Sequence, residues 1–259
     1  MLSLGPEPGT RALVVGGCGG IGRVYVEGLL ALGCRVAVID RKSAVQASPP
    51  PKDATVVVAD ASDSAQFSTA FGKAVSSLDG LDLMAHLVGC NPTQSTLLET
   101  DSADIDSIFA INLQSAINAS RLAIDAMGDN PGSMVFVSSG LAQMPEPGFG
   151  PYAMSKAALN AMVKTLAREC APTIRCNAVA PGLVETEFLS GGTGGGGVAG
   201  GLGDLNKLGA QAERIVASIP TGRIATPSEV AAPMLFRSSP GAAHITGQIM
   251  YVNGGRFMP

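Results

Sequence analysis

The sequence predicts an α/β fold: a single-domain, doubly wound Rossmann sheet of about seven parallel strands with helices on both faces. Three observations predict it. Short apolar strand patterns alternate with helical ones along the whole chain, as parallel sheets with crossover helices require. A glycine-rich turn follows the first strand, and an acidic residue closes the second. Hydrophobic residues make up 46% of the 259 and charged ones only 15%, which suits strands buried on both faces.

The elements follow in order. Residues 12–15 form an apolar strand that runs into Gly16-Gly17-Cys18-Gly19-Gly20-Ile21-Gly22. A helix extends to about Leu32 and stops at Gly33, since glycine readily takes the left-handed conformation that ends helices. Residues 35–39 are the second strand, closing on Asp40. In 41–53 the prolines 49–51 leave room for only a turn or two of helix. Residues 55–59 are the third strand, 62–77 a helix, and 81–88 the fourth strand. A long helical pattern covers 101–127, and Pro131-Gly132 follow it. The fifth strand is 133–137, a long helix spans 151–170, and the sixth strand is 174–179. After a glycine-rich stretch come helices near 205–218 and 228–238, and a last strand near 248–252. The whole chain, 1–259, is expected to be one domain. The glycine-rich part of 188–218 is expected to form a lid over a substrate pocket.

Bulk charge narrows the function. The net charge is −4 and no Lys/Arg cluster occurs, so neither nucleic acid nor an anionic membrane surface is an expected partner. No apolar run reaches the roughly 20 residues of a membrane span, and the first residues lack a basic start with an apolar stretch after it. A soluble, cytoplasmic protein is expected. The five cysteines form no CxxC pair, and the two histidines, His86 and His244, lie in no metal-binding context. No metal is expected.

Glycines in such a turn let a pyrophosphate approach backbone N–H groups at a helix N-terminus. The run fits three spacings: Gly17-x-Gly19-x-x-Gly22, Gly16-x-x-Gly19-x-x-Gly22 and Gly16-x-x-x-Gly20-x-Gly22. Asp40 would accept hydrogen bonds from ribose hydroxyls and repel a 2′-phosphate. NAD is therefore expected over NADP, although Arg41 next door could receive that phosphate. Downstream, Tyr152-Ala153-Met154-Ser155-Lys156 places phenol and ammonium on one helical face. The ammonium, together with the positive ring of an oxidised nicotinamide, is expected to favour the phenolate. Ser138-Ser139 end the fifth strand, at the carboxyl edge where such sheets bind ligands.

With these motifs the chain resembles the short-chain dehydrogenase/reductase family over nearly its whole length. Gly16, Gly20 and Gly22 match that family's TGxxxGxG turn, with Val15 in place of Thr; Cys18, Gly19 and Ile21 lie within it. Asp60, with Ala61, is similar to the adenine-contacting residue. Asn112, Ser139, Tyr152 and Lys156 match the catalytic tetrad. Pro181-Gly182-Leu183-Val184-Glu185-Thr186 resembles the PGxxxT segment that seats the nicotinamide carboxamide, and Ile245–Gln248 and Val252–Gly255 resemble the family's ITGQ and VDGG. Where the family has NNAG, this chain has His86-Leu87-Val88-Gly89; Gly89 keeps the backbone approach to the cofactor, and His86 is expected to be a satisfied core histidine.

The resemblance implies a mechanism. Ser139 would steady the substrate oxygen and Tyr152 would exchange its proton. Lys156 would lower the Tyr pKa and hold the nicotinamide ribose, and Asn112 would anchor a water that relays the proton. The expected function is NAD-dependent interconversion of a secondary alcohol and a ketone. Leu141, Met144, Phe149, Leu183, Phe188 and Leu189 are expected to line a pocket for an apolar small molecule. The alternatives are a 3-oxoacyl-[acyl-carrier-protein] reductase using NADPH, and a non-catalytic NAD-sensing module. A homo-oligomer, dimer or tetramer, is also implied.

Overall fold

The computed structural model describes residues 4–91, 95–190 and 210–258. Seven strands form one all-parallel sheet: β1 (Arg11–Val15), β2 (Arg35–Asp40), β3 (Thr55–Val58), β4 (Leu83–His86), β5 (Gly132–Val137), β6 (Ile174–Pro181) and β7 (Ile249–Val252). Their spatial order is β3-β2-β1-β4-β5-β6-β7. The direction of winding reverses between β1 and β4, and the crevice at their carboxyl ends is where such sheets bind ligands.

Alternate residues of the five central strands feed two cores, while β3 at one edge is largely exposed. Leu13, Val15, Ala37, Ile39, Met84 and Phe136 face one side, under α3 (Ser64–Leu78), α5 (Ser115–Met127) and α6 (Gly150–Glu169). Ala12, Val14, Val36, Val38, Ala85 and Val135 face the other, under α1 (Gly20–Ala31), the short α2 (Lys42–Ala47) and α8 (Pro227–Arg237). Burial on both faces is why these strands read as unbroken apolar runs rather than as alternating ones.

Helix limits follow local chemistry. Asp63 accepts from the Ala65 and Gln66 amides at 3.1 and 3.0 Å, so α3 begins later than residue 62. Glu229 reaches back to the Thr226 amide at 2.8 Å and starts α8 at Pro227. Gly33, at φ 78°, ends the first helical segment as expected.

The pattern at 101–127 is not one helix. It divides into α4 (Ser102–Phe109), a single π turn (Ala110–Gln114) and α5. The extra residue in that turn points Asn112 into the protein, where it is fully buried. Of the expected lid at 188–218, a short 3-10 turn (Glu187–Ser190) and α7 (Ala210–Ala217) are seen; residues 191–209 lie outside the described residues. No helix among the described residues is long and apolar enough to cross a membrane.

Candidate active site

A cavity of about 520 Å³ opens at the switch between β1 and β4. The glycine turn forms one wall. Gly16 has φ 89°, and a Cβ there would lie 2.9 Å from the Val88 amide nitrogen. A Cβ at Gly20 would lie 2.6 Å from Cγ2 of Thr186, and one at Gly22 would collide with the Gly16 carbonyl. A Cβ at Gly19 would meet nothing within 4 Å. Of the three spacings the sequence allows, Gly16-x-x-x-Gly20-x-Gly22 is therefore the one in which each glycine is sterically required. The amino end of α1 opens on the cavity, where its unpaired N–H groups and dipole favour an anion.

Asp40, at the end of β2, is held by backbone. Its Oδ2 accepts from the Cys18 amide and its Oδ1 from the Arg41 amide, both at 2.9 Å. Asp60 is exposed, and its Oδ1 accepts from the Ser62 amide and hydroxyl at 2.9 and 2.7 Å.

The opposite wall carries the polar cluster. Ser139, Tyr152 and Lys156 are all buried, at 8%, 7% and 3% exposure, yet each lines the cavity. The Lys156 Nζ donates to the Val137 carbonyl at 3.0 Å and lies 5.9 Å from the centre of the Tyr152 ring. Burial pushes the Tyr152 phenol up to about 12, against a lowering hydrogen bond with Ser139. Burial likewise pulls Lys156 down to about 8. Desolvation of the charged form is the largest influence on both groups, and the Lys156 Nζ gives a hydrogen bond to a backbone carbonyl.

Every residue predicted for cofactor or substrate lines this cavity: Gly16, Cys18 to Gly22, Asp40, Arg41, Asp60, Ala61, Gly89, Pro181, Gly182, Val184 and Thr186, with Leu141, Met144, Phe149, Leu183, Phe188 and Leu189. Phe188 packs beside Tyr152, ring centres 6.1 Å apart. Asn112 is the exception. It stands behind the wall, its Oδ1 accepting from the Cys90 amide at 2.7 Å. Its Nδ2 donates to the Cys90 carbonyl at 3.0 Å and to the Ser155 hydroxyl at 2.9 Å. Both N–H groups of this side chain are spent on the protein.

His86 is also only half of what was expected. It is fully buried, and its Nε2 lies 2.9 Å from the Ser115 hydroxyl. That hydroxyl donates its proton to the Ile111 carbonyl, so the histidine must be the donor in the first bond. Its Nδ1 has no partner among the described residues. Burial, with Lys156 nearby, pushes the imidazole down to about 3 and keeps it neutral.

The sequence reading missed Cys90, Glu146, Asn253, Arg256 and Phe257, all of which line the cavity. Glu146 and Arg256 pair at 3.2 Å across 110 positions; no local spacing could announce that.

Fold and crevice together define a Rossmann-type oxidoreductase. A family model described as Enoyl-(Acyl carrier protein) reductase matches residues 16–256. The chain is 30% identical to an NADPH-dependent aldehyde reductase-like chloroplastic protein of Arabidopsis thaliana, covering 96% of this chain and 95% of that protein. It is similar to the structure of a short-chain dehydrogenase/reductase, glucose/ribitol dehydrogenase, from Brucella melitensis (TM-score 0.84, 27% identity, 98% of this chain and 100% of that one). It is also similar to that of a 3-ketoacyl-(acyl-carrier-protein) reductase from the same organism complexed with NADH (TM-score 0.85, 25% identity, 97% and 99%). The chain belongs to the short-chain dehydrogenase/reductase family, whose members are oxidoreductases that use a nicotinamide cofactor.

Proposed function

We propose that the chain is an NAD-dependent oxidoreductase interconverting a secondary alcohol and a ketone of largely apolar body. The observation that carries this is the meeting of Ser139, Tyr152 and Lys156 in the same cavity as the glycine turn. A non-catalytic NAD-sensing module would have no use for that cluster.

The cavity fits a dinucleotide. The crowded positions at Gly16, Gly20 and Gly22 exclude side chains, and the amino end of α1 suits the pyrophosphate. Asp40 would hold the adenosine ribose, Asp60 and Ala61 would flank adenine, and Gly89 would let the cofactor approach. Pro181, Gly182, Val184 and Thr186 would seat the carboxamide end. Asp40 is a carboxylate already anchored by two amides, and Gly19 offers no cation, so a 2′-phosphate would meet repulsion from Asp40 that only Arg41 stands near enough in sequence to offset.

Nicotinamide, when bound, accepts or supplies the hydride and, in its oxidised form, brings a positive ring beside the cluster. The Ser139 hydroxyl binds the substrate oxygen and steadies charge developing there. Tyr152 takes the hydroxyl proton in oxidation and returns it in reduction. Lys156 keeps a buried positive charge in the crevice, tied to β5 through Val137. Asn112 acts as a positioning residue. Leu141, Met144, Phe149, Leu183, Phe188 and Leu189 supply an apolar surface for the substrate body.

One observation favours a second reading, a 3-oxoacyl-[acyl-carrier-protein] reductase using NADPH: Arg41 also lines the cavity. Absorbance of reduced nicotinamide, followed with both dinucleotides over a panel of secondary alcohols, ketones and 3-oxoacyl thioesters, tests both. NAD-linked turnover of simple alcohols supports the first reading; NADPH-linked reduction of thioesters alone would replace it. We further propose a homodimer or homotetramer, which sedimentation as a monomer at micromolar concentration would contradict.

A further inference from the structure

We propose that Arg256 binds a carboxylate on the substrate, so that the substrate is an apolar-bodied hydroxy or oxo acid. This rests on the functional reading above and names the substrate class of the same cavity.

Among the described residues three cationic side chains line the cavity: Lys156, Arg41 and Arg256. Lys156 belongs to the proposed catalytic cluster, giving one hydrogen bond to the Val137 carbonyl, and Arg41 follows Asp40, the residue proposed to hold the ribose. Among the described residues Arg256 is therefore the remaining cation of the cavity lining, in the tail segment whose Asn253 packs against Gly182.

Its seat is built rather than incidental. The Asn253 side chain donates to the Phe257 carbonyl at 2.7 Å and accepts from the Gly255 amide at 2.9 Å, folding the tail around Arg256. The Arg256 amide donates to the Asn253 carbonyl at 3.2 Å. The Phe257 ring stands edge-on to Tyr251 at 5.2 Å.

The guanidinium in that seat is under-used. Among the described residues its one side-chain hydrogen bond is from Nη2 to Glu146, single-pronged and 3.2 Å long, with side chains 23% and 39% exposed. A single-pronged pair open to water contributes little. A planar guanidinium with N–H groups to spare binds a carboxylate through two parallel bonds, which is the stronger arrangement. Glu146 holds the arginine at the cavity and can turn to solvent when a substrate carboxylate takes its place.

The test measures binding and turnover separately. Hexanoate and hexanamide have the same length and differ in charge; isothermal titration of the enzyme–NAD mixture should show hexanoate at least about tenfold tighter. In Arg256→Met the ratio should fall to near one, and Arg256→Lys should keep part of it. Glu146→Gln should tighten hexanoate by removing its competitor. Hydroxy acids with two to six carbons between the reacting carbon and the carboxylate, compared with their methyl esters, should show the same preference in kcat/KM. Equal binding of hexanoate and hexanamide, a preference that survives Arg256→Met, or weaker hexanoate binding in Glu146→Gln would each overturn the assignment. Turnover of esters and simple alcohols without preference for acids would remove Arg256 alone. Absence of nicotinamide-linked turnover with every substrate would instead remove the functional reading, and the titration would still decide whether Arg256 binds carboxylate.

Discussion

The Asn112 carboxamide closes a two-bond ring with the backbone of Cys90, accepting from its N–H at 2.7 Å and donating to its C=O at 3.0 Å. A side chain thereby pairs the segment after β4 as a neighbouring strand would. Its remaining N–H, given to Ser155, ties the same point to α6 one turn past Tyr152. Replacing Asn112 with Ala should cost about 2–4 kcal/mol, because buried groups lose their partners. It should also lower kcat. An unchanged urea midpoint would show that water replaces the carboxamide.

Tyr152→Phe removes the group proposed to exchange the substrate proton. The rate should fall by at least about 10², while calorimetry should show dinucleotide binding retained. A near-normal rate would take Tyr152 out of the chemistry.

His86 gives a stability profile with a definite sign. Its folded pKa is about 3, below the unfolded value of about 6.5. Between these limits the unfolded chain takes up a proton that the folded one refuses. Its contribution is therefore present above pH ~6.5 and is lost on acidification by about 1.4 kcal/mol per pH unit. His86→Asn should flatten the fall in urea midpoint from pH 6.5 downward; parallel curves for the two proteins would contradict a neutral buried imidazole.

Asp40→Ser removes the charge proposed to repel a 2′-phosphate. The preference of kcat/KM for NAD over NADP should shrink by about tenfold or more, the loss of roughly 1.4 kcal/mol of discrimination. A wild-type enzyme as efficient with NADP as with NAD would end the argument before the variant is made.

Gly22→Ala forces a methyl group into the Gly16 carbonyl. Overpacking of this kind costs about 1–3 kcal/mol, and the displaced turn should bind dinucleotide poorly. Normal titration by NAD would mean the turn can widen freely.

Most of the site was legible because its parts are local. The glycine turn, Asp40 at a strand end and the Tyr–Lys pair on one helical face are each set by spacing within a single element or its boundary. The π turn was not legible, since a helical pattern at 101–127 has the same apolar period with or without one extra residue; what fixes the bulge is Asn112 finding Cys90 and Ser155 in other elements. Nothing in the local spacing announced that the Asn112 side chain braces the wall behind the cavity.

By itself the sequence determined the order of strands and helices, the turn that only glycines can make, and which polar residues stand at strand ends. These depend on neighbours a few positions away. Tertiary structure alone decided that Tyr152 and Lys156 are pushed toward their neutral forms, that His86 cannot be protonated near neutrality, and that Arg256 meets Glu146 at the cavity. Burial and long-range charge are properties of the packed chain, because only packing removes water and brings residues 110 positions apart within 3.2 Å.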